Sequence, residues 1–375
     1  MLNACARPAS DSRLRSLSGM ARKSLVLAAV GLAALVASCE TPPEPEPAPP
    51  PPVVLPPPPV TLNQEVAAQA AVYVAFMREV STLQAGFQSA DAIQTAMRRG
   101  ASYHPAQISQ GMIAYASILA LQSPEFVSGV RGYANDPVQR QQIVEAILSD
   151  PAYAASFPGA DAAAGLIVAA LSRDSVALTA IADAIEGDAY TIQERRDPRR
   201  RWAITPITNR EERLQATKDL SGQAMSPKPE EAAQLYAAAH AGQGLNVSGG
   251  RAAPPYTPVV ARALTIAALA ALGAAGDDQR SNIATLTNDA GNQFCYDISK
   301  LNLFQCLAAS RPSYEDMFCL GRHVVRDLAG CAATAAGGVT TTITTAEAPR
   351  ITPAPSLAPA VATTATLNSA PPTGR

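Results

Sequence analysis

The distribution of proline constrains this chain more than any other feature of its sequence. Twelve of the eighteen positions in residues 42–59 are proline. Because proline has no backbone N–H and a fixed φ, such a run forms neither a helix nor a central strand. It adopts an extended polyproline II conformation of about 3.1 Å per residue, so the segment predicts a spacer of roughly 55 Å.

Several of the other prolines stand where helices are expected to begin. A proline in the first helical turn loses no hydrogen bond, and a preceding Ser or Asp supplies the cap. The motif Thr61-Leu62-Asn63-Gln64 matches a capping box, and Ser89 is the expected cap of a helix that stops at Gly100. The pattern predicts short antiparallel helices of about ten residues. The proline-marked starts are His104-Pro105, Ser123-Pro124, Asp136-Pro137 and Asp150-Pro151.

Composition supports a helical body between two extended ends. The chain of 375 residues is 47% hydrophobic but only 5% aromatic, so alanine supplies much of its apolar content and favours closely packed helices. We expect an all-α fold, a multi-helix bundle or an orthogonal array of short helices, over residues 61–335. Prolines at 198 and 206 suggest possible halves, 61–194 and 209–335. The Thr-, Ala- and Pro-rich segment 336–375 has few large apolar residues and is expected to be a disordered tail.

Two apolar runs are candidates for the centre of this body. Residues 162–171 lie in a stretch, 159–193, that predicts one or two helices, and residues 263–275 follow a first-turn proline. Both runs are shorter than the roughly 20 apolar residues that a membrane span requires, so we interpret them as core helices. Strands are not excluded at 202–208, but no sheet is expected.

The N-terminal region carries the pattern of an export signal. A short cationic segment begins at Met20, the expected translation start, and contains Arg22 and Lys23. An apolar run of about thirteen residues follows and ends in small residues, as in a cleavable signal peptide. The sequence therefore predicts a signal peptide over residues 1–38.

The motif at the end of this run, Val36-Ala37-Ser38-Cys39, resembles the lipobox of bacterial lipoprotein precursors. The resemblance implies that signal peptidase II cleaves before Cys39, that the Cys39 thiol is diacylated and that the new amine receives a further acyl chain. Residues 39–60 would then form an acylated, proline-rich linker. The next residue is Glu40 rather than Asp, which favours the outer membrane. The alternative is an ordinary secretory signal in which the cysteine has no such role.

Charge and export together limit the partners. A formal net charge of −2 excludes a globally basic nucleic-acid binder. Without residues 1–38, 24 basic and 30 acidic residues remain, a formal charge of −6. We expect contact with the membrane through the lipid anchor, a body that faces the periplasm, and envelope proteins or peptidoglycan as partners. No cofactor is expected beyond the acyl lipid on Cys39.

Four cysteines remain in the predicted body, and an oxidising compartment favours disulfides. Cys306 and Cys319 flank a predicted turn at residues 310–313, and Cys295 and Cys331 lie farther out on either side. Two helices joined by this turn would pair Cys306 with Cys319 and Cys295 with Cys331, provided that Gly330 ends the second helix and lets Cys331 turn inward. This nested pairing resembles the twin-cysteine helical hairpin of mitochondrial intermembrane-space proteins, without implying kinship.

A metal site is the alternative for these thiols. Cys319 and His323 are spaced i, i+4, but the short paired-cysteine spacing of structural zinc sites is missing, so no metal is expected. A redox-active pair is less favoured still, because the sequence has no Cys-x-x-Cys motif.

The densest charge cluster spans residues 195–202. It could bind an anionic partner such as lipid headgroups, lipopolysaccharide or a wall polymer, with the tryptophan as an anchor. The alternative is a solvated loop whose arginines pair with acids such as Glu194, Glu211 and Glu212. The cluster consists of Arg195, Arg196, Arg199, Arg200, Arg201 and Trp202.

Catalytic motifs are nearly absent from the sequence. It contains no Gly-x-Ser-x-Gly elbow, no His-Glu-x-x-His and no phosphate-binding glycine loop. A helical periplasmic body resembles that of lysozyme-like lytic transglycosylases, which use a glutamate on a helix; Glu125 and Glu145 are the nearest candidates, but neither has that family's Glu-Ser context. The sequence therefore favours a non-enzymatic interaction or structural domain, with a peptidoglycan-acting enzyme as the alternative.

Overall fold

The computed structural model describes residues 56–195 and 198–338, and within them the fold is all-α, as predicted. The lipobox with Cys39, the signal peptide and residues 339–375 lie outside the described residues. The helices in the described part are α1 (Gln64–Val80), α2 (Ala90–Ala101), α3 (Pro105–Ala120), α4 (Pro124–Arg131), α5 (Pro137–Ser149), α6 (Ala160–Arg195), α7 (Arg201–Ile204), α8 (Arg210–Ser221), α9 (Pro229–Ala241), α10 (Pro258–Ala271), α11 (Arg280–Leu286), α12 (Ala290–Ala309), α13 (Ser313–Leu320) and α14 (Asp327–Ala335).

The proline-marked helix starts are confirmed for α3, α4 and α5. Asp136 caps α5 through its carboxylate, whereas His104 makes no side-chain cap at α3. Pro151 instead opens a six-residue 3-10 helix, Pro151–Ser156.

The first helix is capped by a residue other than the one that the motif predicts. Asn63 is the N-cap of α1, and its side-chain oxygen accepts a hydrogen bond of 3.1 Å from the Val66 N–H. Thr61 was the capping position of the predicted box, but its N–H donates to the carbonyl of Ala270 at 3.0 Å. The correction arises because the chain before α1 is held by a distant helix, which shifts the start of the helix by two residues.

One continuous hydrophobic core joins the two predicted halves. Helix α3 packs against α1, α10, α12 and α6, and α14 packs against α6 and α12. Both α3 and α10 are buried on nearly all sides, and small alanines let these helices approach closely. The described residues on either side of the 198–206 boundary therefore share a core.

Helix α6 is one helix of 36 residues, about 54 Å long at 1.5 Å per residue. It packs against α13, α14 and the segment between them. By length and composition alone, it is the one helix in the described part of the chain that could cross a membrane, with an 18-residue window of mean hydropathy 1.5. A long core helix passes the same test, and 39% of that window is buried in the protein.

A long loop crosses α6 near its start. A Cβ on Gly165 would lie 1.6 Å from the carbonyl oxygen of Gly250, so the two backbones meet where no side chain fits. Arg251 in this loop bridges two helices, with nitrogen–oxygen distances of 2.7 Å to Glu125 on α4 and 2.9 Å to Asp161 on α6.

The end of the proline-rich segment lies on the helical body. The Arg131 guanidinium donates to the carbonyl oxygens of Pro57 and Pro58 at 3.3 and 3.1 Å. Leu62 is 2% exposed, and the Asn63 N–H donates to the carbonyl of Ala275 at 2.8 Å. Residues 57–63 therefore form a strap that packs against the helical body. The sequence, in contrast, suggests a linker up to residue 60.

Candidate functional site

The four body cysteines occupy one helical hairpin. Helices α12 and α13 are joined by the short turn at residues 310–312, as expected. Cys306 pairs with Cys319, with Cα atoms 5.7 Å apart, and Cys295 pairs with Cys331, with Cα atoms 5.8 Å apart. The structure therefore brings together the four thiols in the nested arrangement that the turn position predicts.

The route by which Cys331 reaches its partner differs from the expectation. Gly330 does not end the second helix, since α14 continues to Ala335. A π-helical segment, Gly321–Arg326, connects α13 to α14 instead. In a regular α-helix, at about 100° per residue, a spacing of eleven returns a side chain to the same face. A π-turn inserts one extra residue into the helix. The spacing of twelve between Cys319 and Cys331 therefore acts as a spacing of eleven. Cys319 and Cys331 thereby match the spacing of Cys295 and Cys306.

The arginine-rich segment begins at the end of α6 and turns back onto the body. Arg195 ends α6, and Arg199 and Arg200 lie in a short 3-10 helix, Pro198–Arg200. Arg201 is exposed at the start of α7. Arg196 lies outside the described residues.

Arg200 and Trp202 contact the helical body. Arg200 forms an ion pair with Asp188 on α6, an acid that the sequence analysis did not single out. Asp188 also accepts from the Gly86 N–H at 3.0 Å. Trp202 is half-buried and packs against the hydrophobic core.

Neither glutamate considered for catalysis lies in an enclosed setting. The side chain of Glu125 is 50% exposed and is held by Arg251 at 2.7 Å. Glu145 is exposed on α5 and accepts from Gln141 at 3.0 Å. Both carboxylates therefore lie on the protein surface rather than in an enclosed cleft.

The residues considered for a metal site are otherwise engaged. Cys319 is in a disulfide, and the Nδ1 of His323 lies 3.4 Å from a carboxylate oxygen of Asp327. Among the residues that the structure describes, no group of three or more His, Cys, Asp or Glu side chains could hold a metal ion.

A lysine is buried next to the cysteine hairpin. Lys300 on α12 is 5% exposed, and its nitrogen lies 3.6 Å from the centroid of the Tyr103 ring. It donates to the Ser221 hydroxyl at 2.9 Å and to the carbonyl of Ala101. Burial lowers the pKa of Lys300 to about 6. These contacts join α12 to α2 and α8 and enclose the group.

A cleft with a carboxyl group in its lining lies between α1, α3 and α6. We call it the Asp174 cleft. Its volume is about 180 Å³. Tyr73 and Tyr115, with ring centroids 5.9 Å apart, line it together with Asp174. The complete lining consists of Tyr73, Val74, Met77, Arg78, Ser81, Tyr115, Asp174, Ala177 and Leu178.

Asp174 is a carboxyl group without a protein counter-ion. Within the described residues, no hydrogen-bond donor or cationic side chain lies within bonding distance of its carboxylate. Burial raises the pKa of Asp174 to about 6, and the neighbouring Arg173 opposes this only in part. The ionised carboxylate is thus poorly solvated and poorly compensated.

Tyr73 carries a second unsatisfied polar group. The residue is 1% exposed, and its buried hydroxyl has no hydrogen-bond partner among the residues that the structure describes. Burial raises the pKa of Tyr73 well above its ordinary value, so the phenol remains neutral. A buried hydroxyl without a partner is uncommon and requires an explanation.

Sequence reasoning missed Asp174, although its position carries a signal. One stripe of buried residues on α6 has spacings of three or four with a single gap of seven: Ile167, Leu171, Leu178, Ala182, Ile185, Ala189 and Ile192. Asp174 fills the gap between Leu171 and Leu178 in this stripe and is its one charged member. A charge on the core-facing stripe of an amphipathic helix marks a position to examine.

Comparison with known proteins found no relative of this chain. No family model, curated protein or solved structure matches it.

Proposed function

We propose that this chain is an exported lipoprotein of the bacterial envelope, anchored through an acylated Cys39, whose helical body binds partners in the periplasm. The lipobox motif Val36-Ala37-Ser38-Cys39 is the sequence feature that supports the anchor. The resemblance to lipoprotein precursors implies that Cys39 is the first mature residue, shortly before the proline-rich segment.

The observation that carries the proposal is the pairing of all four body cysteines at disulfide distance. Cys319 and Cys331 are 0% and 1% exposed, so their sulfurs are part of the core. Disulfides persist in the periplasm and are rare in the reducing cytosol. Body and N-terminus therefore indicate the same compartment by independent features.

The strap supports a tethered arrangement. It fixes the point where the proline-rich segment joins the body, beside Arg131 and Gly273. A proline-rich spacer of the length that the sequence predicts would hold the body away from the membrane. The outer membrane, facing the periplasm, is the proposed location.

Metabolic labelling tests the anchor. Cells that express the full chain are grown with labelled palmitate, and Cys39→Ala is compared with Thr41→Ala, a change just beyond the motif. We expect Cys39→Ala to abolish the label and Thr41→Ala to retain it. Label retained by Cys39→Ala would refute the lipoprotein assignment.

A further inference from the structure

The Asp174 cleft combines three features that together describe a ligand. It contains a carboxylate without a counter-ion among the described residues, two tyrosine rings, and an opening to the surface. Asp174 is on α6, Tyr73 on α1 and Tyr115 on α3, so the fold brings these groups together.

The charged residues of the lining determine which sign of charge a ligand should carry. The nearest cation in the lining, Arg78, donates to both carboxylate oxygens of Glu231, at 3.1 and 2.5 Å. The Glu231 side chain is 10% exposed, so this bidentate pair is partly enclosed and electrically balanced. Asp174 is left as the uncompensated charge of the cleft, and it favours a cation.

The lining determines the kind of cation. A divalent metal requires several oxygen ligands, and the cleft offers one carboxylate. An organic ammonium group requires fewer oxygen ligands, because aromatic faces attract it and a single carboxylate can pair with it. Tyr73 and Tyr115 supply the rings.

The apolar part of the lining fits a hydrocarbon stem. The lining includes four apolar residues, Val74, Met77, Ala177 and Leu178. A volume of about 180 Å³ admits a short alkyl chain with a single charged end, but it is small for a drug-sized ligand.

We propose that the Asp174 cleft binds a primary ammonium group on an alkyl chain, with Asp174 as its counter-ion and the two tyrosines as its walls. Amino groups of this kind occur on lysine and other diamino-acid side chains. The site stands independently of the lipid anchor.

Titration of the full chain with n-pentylammonium at pH 8, followed by ligand-observed NMR or calorimetry, tests the site. 1-Pentanol has the same stem without the charge and is the ligand control. We expect saturable binding of n-pentylammonium to the wild-type protein and at least tenfold weaker binding of 1-pentanol. A tenfold change corresponds to about 1.4 kcal/mol.

Two variants assign the binding to the cleft. Asp174→Asn preserves the size of the side chain and removes its charge, and we expect it to weaken n-pentylammonium binding at least tenfold. Glu145→Gln removes a charge of the same sign from the exposed face of α5 and should leave binding unchanged. Circular dichroism and thermal unfolding establish that both variants are folded.

Three results would overturn the proposal. They are no saturable binding by the wild-type protein, equal binding of 1-pentanol, and undiminished binding by folded Asp174→Asn. Palmitate labelling reports on Cys39 alone, so failure of the cleft and failure of the anchor are distinguishable.

Discussion

Two ionisable side chains lie where the core disfavours charge, and they have opposite signs. Lys300 is enclosed beside Tyr103, with its pKa lowered to about 6, and Asp174 lines a cleft, with its pKa raised to about 6. Desolvation is the main cause for each. Since each pKa differs between the folded and unfolded states, each group makes the free energy of unfolding depend on pH.

Lys300 should make the protein more stable as the pH rises. Between pH 6 and 10.5 the unfolded chain binds a proton at this position that the folded chain releases, so the free energy of unfolding increases across that window. Lys300→Met should be more stable than the wild type at pH 6 and should lose this part of the pH dependence. Urea denaturation at several pH values measures both effects.

Lys218→Met is the matched control, because Lys218 is exposed on α8. Its stability should follow the wild-type pH profile. A Lys300→Met profile that parallels the wild type would show that the folded protein keeps Lys300 protonated throughout.

Asp174 should have the reverse effect. Its folded pKa of about 6 lies above its ordinary value of 3.8, so the folded state holds the proton more tightly and stability falls as the pH rises between these values. Asp174→Asn should stabilise the protein at pH 7 by on the order of 1–3 kcal/mol. Little gain is expected at pH 3.5, where Asp174 is protonated in both states. Thermal unfolding at the two pH values provides the comparison, and a loss of stability at pH 7 would contradict the desolvation argument.

At the scale of elements, the cysteine hairpin shows how local and tertiary effects combine. The turn at residues 310–312 and the spacing of eleven between Cys295 and Cys306 are visible in the sequence and predict the pairing. The π-helical segment Gly321–Arg326 is not visible, because it depends on contact with α6. The Gly321 backbone lies against Ile185 and Glu186, where a Cβ would be 3.1 and 3.0 Å from their side-chain carbons.

The two disulfides should contribute unequally to stability. Their sequence separations are 13 and 36 residues, and loop-closure entropy predicts about 3 and about 4 kcal/mol respectively. Replacing Cys295 and Cys331 by serine should therefore cost more than replacing Cys306 and Cys319. Denaturation of the two double variants under oxidising conditions gives the ranking, and the reduced wild-type protein should be less stable than either. Equal stability before and after reduction would show that the bridges do not form.

At the scale of the whole molecule, the chain before α1 belongs to the core. Leu62 is buried, and three backbone or side-chain donors of the strap bind the carbonyls of Ala270 and Ala275. The Leu62 N–H also lies 3.4 Å from Nε2 of His240 on α9. The strap thus joins α1 to α9 and to the end of α10.

Removing the strap should destabilise the entire body. A shortened chain that begins at Gln64 loses the buried Leu62 side chain and the Asn63 cap, and we expect a loss of about 2–4 kcal/mol. A chain that begins at Pro56 retains these contacts and is the control. Chemical denaturation compares them, and equal midpoints would show that the strap contributes nothing to the fold.

The helical architecture was predictable because its signals are local. Proline in a first turn, Ser and Asp caps, and alanine-rich apolar runs act within a few residues, so the starts of α3, α4 and α5 agree with the sequence. The shared core was not predictable, because prolines near residue 200 resemble a boundary, whereas the described helices on either side pack together.

The sequence by itself determined the helical class, several helix starts and the arrangement of the cysteines, since each depends on neighbours along the chain. The tertiary structure decided which charges are buried. Asp174 and Lys300 are ordinary helical residues until α1, α2, α3 and α8 cover them. A side chain is desolvated when segments that are distant in sequence pack around it. The Asp174 cleft forms in this way, where α1, α3 and α6 meet.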